Sequence, residues 1–149
     1  MYKHILITTD GSDFSLQGVD HGLALAAATG AKVTVLTVTQ PFPLLVGIMG
    51  EASYASAEMM QDYDRSQKEM AGELLDKMTK RAAQKGVTAD TRHIADAQAA
   101  DAIIQSAQTL GCDLICMASH GRRGLKRLLL GSQAAEVVAH AAVPVLIVR

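Results

Sequence analysis

The sequence predicts an α/β fold, a three-layer sandwich in which a five-stranded parallel sheet, in the order 3-2-1-4-5, carries helices on both faces. Three observations lead there. Short runs rich in Val, Ile and Leu alternate along the chain with longer stretches whose apolar residues recur every three or four positions. Several of the short runs are apolar at successive positions, as strands covered on both faces are. And the 149 residues suit one domain, 1–149, with no internal repeat or low-complexity linker to divide it.

Each element can be justified in turn. The first strand is His4-Ile5-Leu6-Ile7-Thr8-Thr9. After Asp10-Gly11-Ser12, a helical stripe runs through Leu16, Val19, Leu23 and Ala26-Ala27, and Gly30 ends it. Lys32 to Val38 is the second strand. A longer helix follows, with Met59, Tyr63, Met70, Leu74 and Met78 as its apolar stripe and Gly86 at its close; the simplest reading of that Met-rich stripe is a core face. Val87 to Ile94 reads as the third strand, and Ala100, Ile103, Ile104, Ala107 and Leu110 as the face of a third helix. Leu114 to Met117 gives the fourth strand, Ala134, Val137, Val138 and Ala141 the last helix, and Val143 to Val148 the fifth strand. The irregular part is 40–57, with Pro41, Pro43, Gly47 and Gly50 among apolar residues. A loop that long either covers a helix end or serves as a lid over a ligand.

Composition narrows the function. Hydrophobic residues make up 49% of the chain but aromatics only 3%, so the core is aliphatic. The formal net charge of -1 argues against a general nucleic-acid or membrane-surface binder. No apolar run approaches the ~20 residues of a membrane span, and Met1-Tyr2-Lys3-His4 leads straight into a strand with no signal peptide, so the cytoplasm is the expected location. Cys112 and Cys116, spaced as CDLIC, do not match the common zinc pairs and read as two buried thiols. His4, His21, His93 and His140 are scattered and form no metal set.

One segment stands apart. Residues 117–133, MASHGRRGLKRLLLGSQ, hold three glycines and four basic residues, and no acidic residue occurs from Leu114 through Ala135. In an open parallel sheet the ligand crevice lies beyond the carboxyl ends of the strands where the strand order reverses. With the order above, that point falls between strands one and four, so Thr8, Thr9, Asp10 and Gly11 face Met117, Ala118, Ser119, His120 and Gly121. Gly121, Gly124 and Gly131 let backbone N–H groups approach oxygens closely. The last helix begins at Gly131-Ser132 and offers free donors and partial positive charge, with Arg122, Arg123, Lys126 and Arg127 adding mobile cations. Asp10 is suited to accept hydrogen bonds from a ribose or a base amino group. Neither GxxxxGK[ST] nor GxGxxG is present, so spacing alone leaves a phosphate-type ligand and a surface-exposed basic loop both open.

The opening ILITTDGS, the second strand's TVLTVT and the closing VPVLIVR together resemble the universal stress protein family over the whole chain. The family's nucleotide-binding branch carries the signature Gly, two residues, Gly, nine residues, Gly-Ser/Thr. Here it reads Ala118-Ser119-His120-Gly121, nine residues, Gly131-Ser132, with Ala118 in the place of the first glycine. The resemblance implies a homodimeric α/β domain that binds ATP. By position it implies Asp10 at the adenosine with Thr8 and Thr9 beside it, and Val38 meeting the adenine through its backbone. Met117 and Ala118 would line the ribose. Ser119, His120, Gly121 and Arg122 would lead to the phosphates, which Gly131, Ser132, Gln133 and Ala134 would bind from the helix start. Mg²⁺ or Mn²⁺ would be held mainly through phosphate oxygens.

The expected function is therefore a cytoplasmic stress-response protein binding ATP or a related adenine nucleotide at the crevice between strands one and four, as a regulatory or protective dimer. Two alternatives stand beside it. One is a nucleotide-free dimeric interaction protein whose basic loop docks an acidic partner; the other is a slow ATPase, for which His120 has no evident orienting partner. Nucleic acid is the weaker partner for the basic cluster, since no aromatics interleave it. The apolar strand Val143–Val148 falls at a sheet edge, and pairing with a second copy would cover it.

Overall fold

The protein is described by a computed structural model in residues 1–43, 56–121 and 130–149. Its elements alternate as expected: β1 (His4–Thr8), α1 (Asp13–Thr29), β2 (Lys32–Val38), α2 (Ala57–Gln84), β3 (Ala89–Ile94), α3 (Ala99–Thr109), β4 (Leu114–Ala118), α4 (Ser132–His140) and β5 (Val145–Val148). All five strands are parallel, in the order β3-β2-β1-β4-β5. Among the described residues no helix is long and apolar enough to cross a membrane.

The centre of the sheet explains the uninterrupted apolar runs. Ile5, Leu6 and Ile7 of β1 are wholly buried, because successive side chains point to opposite faces and both faces are covered. Ile5 and Ile7 join Val33, Val35, Leu114 and Cys116 beneath Val19 and Leu23 of α1 and Leu75 and Met78 of α2. Leu6, with Leu36, Ile115 and Met117, packs on the other face against Ile103 of α3 and Val137 of α4. Full burial of each such side chain contributes about 1.5–3 kcal/mol. The edge strand β3, ADTRHI, is polar because it is largely exposed.

The helix ends are set locally. Ser12 caps α1 by accepting from the Ser15 N–H at 3.2 Å, and the Gly30 N–H returns to the Ala26 carbonyl at 2.8 Å. Ser56 caps α2 through the Met59 N–H at 3.2 Å. Asp113, just before β4, accepts from the backbone N–H groups of His4 and Lys3, tying the starts of the two central strands together. Those bonds, His4's first, hold its carboxyl below the usual range. His4 bridges the Leu110 carbonyl and the Thr34 hydroxyl, a structural role.

The Met-rich stripe of α2 is only partly a core face. Ala71, Leu75, Met78 and Ala82 are buried, whereas Met59, Met60 and Met70 are exposed. The first half of the helix faces the crevice instead, through Tyr63, Gln67 and Met70.

Helices α1 and α2 are stapled side by side. The Arg81 guanidinium donates to both Asp20 oxygens, at 2.8 and 2.6 Å, and the Lys85 ammonium lies 3.5 Å from one of them. The Arg81 hydrogen bonds hold the Asp20 carboxyl below its ordinary value. A carboxyl with a depressed folded pKa adds stability that is complete above the unfolded pKa and lost as pH falls through the folded one. Because the pair is about a third exposed, solvent screens it, and Arg81→Ala is expected to cost about 1 kcal/mol at pH 7. In urea unfolding, the gap between the variant and the unmodified protein should close as pH falls below about 4. A gap independent of pH would show that the ion pair is not its source.

Candidate functional site

Where the strand order reverses between β1 and β4, the carboxyl ends of the strands open into a crevice of about 670 Å³. That volume lies within the roughly 300–1,000 Å³ of ordinary small-molecule sites. Thr8, Thr9, Asp10, Val38, Met117, Ala118, Ser119, His120, Gly121, Gly131, Ser132, Gln133 and Ala134 all line it. Arg122, with Arg123, Gly124, Lys126 and Arg127 of the basic cluster, lies outside the described residues, as does most of the 40–57 loop.

The first lip is the turn from β1 into α1. Thr9 continues the ladder, donating its N–H to the Leu36 carbonyl at 3.0 Å, and its buried hydroxyl meets the Ser15 hydroxyl at 2.9 Å. The same Thr9 oxygen accepts the Gly11 N–H at 3.1 Å. Gly11, at φ 80°, takes the left-handed conformation that lets the chain reverse there. One Asp10 oxygen accepts the Ser12 N–H at 2.9 Å, which fixes the carboxylate at the head of α1. The other faces Gly121 so closely that a side chain at that position would strike it.

The second lip is built from the two ends of the 118–132 motif. Ser119, almost fully buried, donates its N–H to Val148 at 2.8 Å and accepts the Gly131 N–H on its own carbonyl, also at 2.8 Å. A Cβ at Gly131 would lie 3.1 Å from that carbonyl, so glycine is what permits the approach. This single bond brings the strand end and the start of α4 together. Among the described residues no side chain caps α4; its first intrahelical bond, from the Ala135 N–H to the Gly131 carbonyl, leaves the N–H groups of Ser132, Gln133 and Ala134 at the crevice. Their orientation makes an anion-binding end. The His120 Nδ1 lies 3.0 Å from the Ser119 hydroxyl, with the proton's side set by the tautomer.

Gln133 has a role that its place in the motif does not suggest. Its side-chain oxygen accepts the Ala100 N–H at 2.9 Å, capping α3, whose own N-cap residue Gln98 makes no side-chain bond. The Gln133 side-chain oxygen is therefore committed to α3 rather than to the crevice. The wall formed by α2 was not anticipated either. Tyr63, Gln67, Met70, Leu74 and Lys77 line the crevice from one face of that helix. Tyr63 also donates its hydroxyl to the Gln40 carbonyl at 3.2 Å and meets Phe42 edge-on at 5.2 Å. Their helical spacing was legible, but the same spacing describes a core face.

Among the described residues no three His, Cys, Asp or Glu side chains gather to hold a metal ion. The two thiols are no metal pair, for Cys116 packs beneath α1 and Cys112 on the opposite face of the sheet. Burial pushes Cys112 up to about 11 and Cys116 up to about 12, so both stay protonated.

Comparison with known proteins gives a consistent likeness. The model of the Universal stress protein family matches residues 1–149. Universal stress protein MJ0531 of Methanocaldococcus jannaschii is 36% identical over 149 residues, covering 100% of this chain and 83% of that protein. YxiE of Bacillus subtilis, also a universal stress protein, is 30% identical over 149 residues and 100% of both chains. Among solved structures, MJ0577 superposes with a TM-score of 0.83 at 26% identity, over 99% of this chain and 96% of that one. A universal stress protein solved in complex with cAMP superposes at 0.68 with 27% identity, over 99% and 97%.

The capping role of Gln133 is testable without a ligand. Gln133→Ala should cost about 1 kcal/mol in urea unfolding, the usual worth of a helix cap. Gln133→Glu keeps an acceptor at a helix N-terminus and should retain the stability at neutral pH. Equal stability of the alanine variant and the unmodified protein would remove the cap from the account.

Proposed function

The chain belongs to the universal stress protein family, and from that premise we propose that it binds ATP, or a related adenine nucleotide, across the crevice between β1 and β4. The observation that carries this reading is the Gly131 N–H bond to the Ser119 carbonyl. It joins a strand end and an uncapped helix start into one anion cradle, with the Asp10 carboxylate on the facing lip. A group with phosphates at one end and hydroxyl or amino donors at the other complements that pair of lips. The complex of a 27%-identical universal stress protein with cAMP supports the adenine assignment.

In this reading Asp10, with Thr8 and Thr9 beside it, accepts from the adenosine part, and the backbone of Val38 meets the base. Met117 and Ala118 flank the ribose. Ser119, His120 and Gly121 lead to the phosphates, which take the N–H groups of the Gly131–Ala134 turn, with Arg122 alongside. Mg²⁺ or Mn²⁺ would supply charge neutralisation on the phosphates and be held mainly through their oxygens. The nucleotide bridges two lips carried by different elements, so its binding energy favours the arrangement in which both are in place. A regulatory role, in which nucleotide selects that arrangement and with it the partner, is the function we propose for this chemistry, with the cytoplasm as its setting.

The dimer belongs to the same proposal. Among the described residues strand β5 pairs with β4 alone, leaving its other edge open, and Leu146 is 37% exposed. Apolar edges of this kind are managed by pairing or covering. A second copy meeting this one along Val143–Val148 would cover it.

Calorimetric titration with Mg·ATP tests the central point, and adenosine provides the control. Mg·ATP should bind more tightly than adenosine, and Gly131→Ala should weaken Mg·ATP by about tenfold, ~1.4 kcal/mol, with adenosine little changed. Saturating Mg·ATP at about 100 times Kd should add about 2.7 kcal/mol of stability. The absence of measurable Mg·ATP binding would refute the reading, and equal affinities for ATP and adenosine would refute the phosphate cradle.

A further inference from the structure

We infer that Gly18, in the buried face of α1 and outside the crevice lining, is the spacer that sets the gap between the two lips. The functional half of this inference rests on the nucleotide reading above; the packing half stands on its own.

The geometry is specific to this glycine. A Cβ at Gly18 would lie 3.0 Å from the Ala118 nitrogen, 3.3 Å from the Met117 carbonyl carbon and 3.5 Å from the Ala118 Cα. All three are backbone atoms, which cannot rotate away. One turn later, a Cβ at Gly22 would meet the Ile7 and Cys116 side chains instead. The helix is also held inward at this point, because the buried Cys116 thiol donates to the Gly18 carbonyl at 3.4 Å. The helix therefore cannot carry a side chain at this crossing and keep its present distance from the backbone of β4.

The crossing lies directly behind the crevice. Helix α1 starts three residues after Asp10, and β4 ends one residue before Ser119. With Gly121 already against the Asp10 carboxylate, the lips have no slack. Pushing α1 off β4 by a few tenths of an ångström would shift the Asp10 lip relative to the Ser119–Gly121 lip. Gly18 thus acts as a positioning residue.

The test is Gly18→Ala, read by Mg·ATP calorimetry and by thermal unfolding, with Gly72→Ala as control. Gly72 sits in α2 with nothing within 4 Å of an added Cβ, so its replacement should raise Tm by about 3 °C and leave ATP affinity unchanged. Gly18→Ala should gain no such stability and should weaken Mg·ATP about tenfold. A Tm gain equal to that of Gly72→Ala overturns the close packing, and unchanged affinity in Gly18→Ala overturns the spacer role. If the unmodified protein binds no Mg·ATP, the proposed function and the spacer role both fail, while the unfolding arm still decides the packing. If Gly18→Ala does not fold, the packing stands and Cys116→Ala, which releases the Gly18 carbonyl at the same crossing, carries the affinity arm: weakened Mg·ATP supports the spacer role and unchanged affinity overturns it.

Discussion

The crevice depends on β1 having different partners on its two edges. It pairs with β2 from His4 to Thr8 and with β4 from Ile5 to Ile7. The chain therefore leaves the carboxyl end of β1 in one direction, while β4 and the start of α4 lie on the other side. Among the described residues no connection crosses the gap between them, and the ends of two central strands face each other across it. Burial of Ile5, Leu6 and Ile7 on both faces fixes that register, because a one-residue slip would exchange every side chain between the two cores.

What the topology places near one another, a few short contacts hold at working distance. Ser119 is the hub of the second lip: its N–H is committed to β5 and its carbonyl to Gly131. Gln133 anchors the same lip from behind through α3, and Asp10 is fixed to the head of α1 by the Ser12 N–H. Each bond is worth about 1 kcal/mol. Their value to the site is geometric, since they orient backbone donors before any ligand arrives and reduce the ordering cost of binding.

The sequence made the fold and most of the crevice readable for a physical reason. Strands buried on both faces have to be apolar at successive positions, and a parallel order of strands and helices leaves few topologies. The ends of β1 and β4 then mark the site, and the spacing from Gly121 to Gly131-Ser132 marks its lip. Other features have no local signature. Tyr63, Gln67 and Met70 line the crevice on a stripe whose period is that of any buried face. Gln133 caps a helix that begins more than thirty positions earlier in the chain. Gly18 reads as an ordinary weak spot in a helix until the backbone of β4 is seen against it. Tertiary contact, not period, decides these three.

The central claim is that the two lips close on one nucleotide, with its phosphates at the start of α4 and its base toward the end of β2. Backbone amide shifts recorded by NMR during a Mg·ATP titration address it most directly. The account predicts saturable shifts concentrated at Asp10, Val38, Gly121 and Gly131 through Ala134, with adenosine reproducing those at Asp10 and Val38 but not those at the helix start. Shifts confined to the opposite end of the sheet, around Lys32 and Asp90, or none at saturating nucleotide, would contradict it.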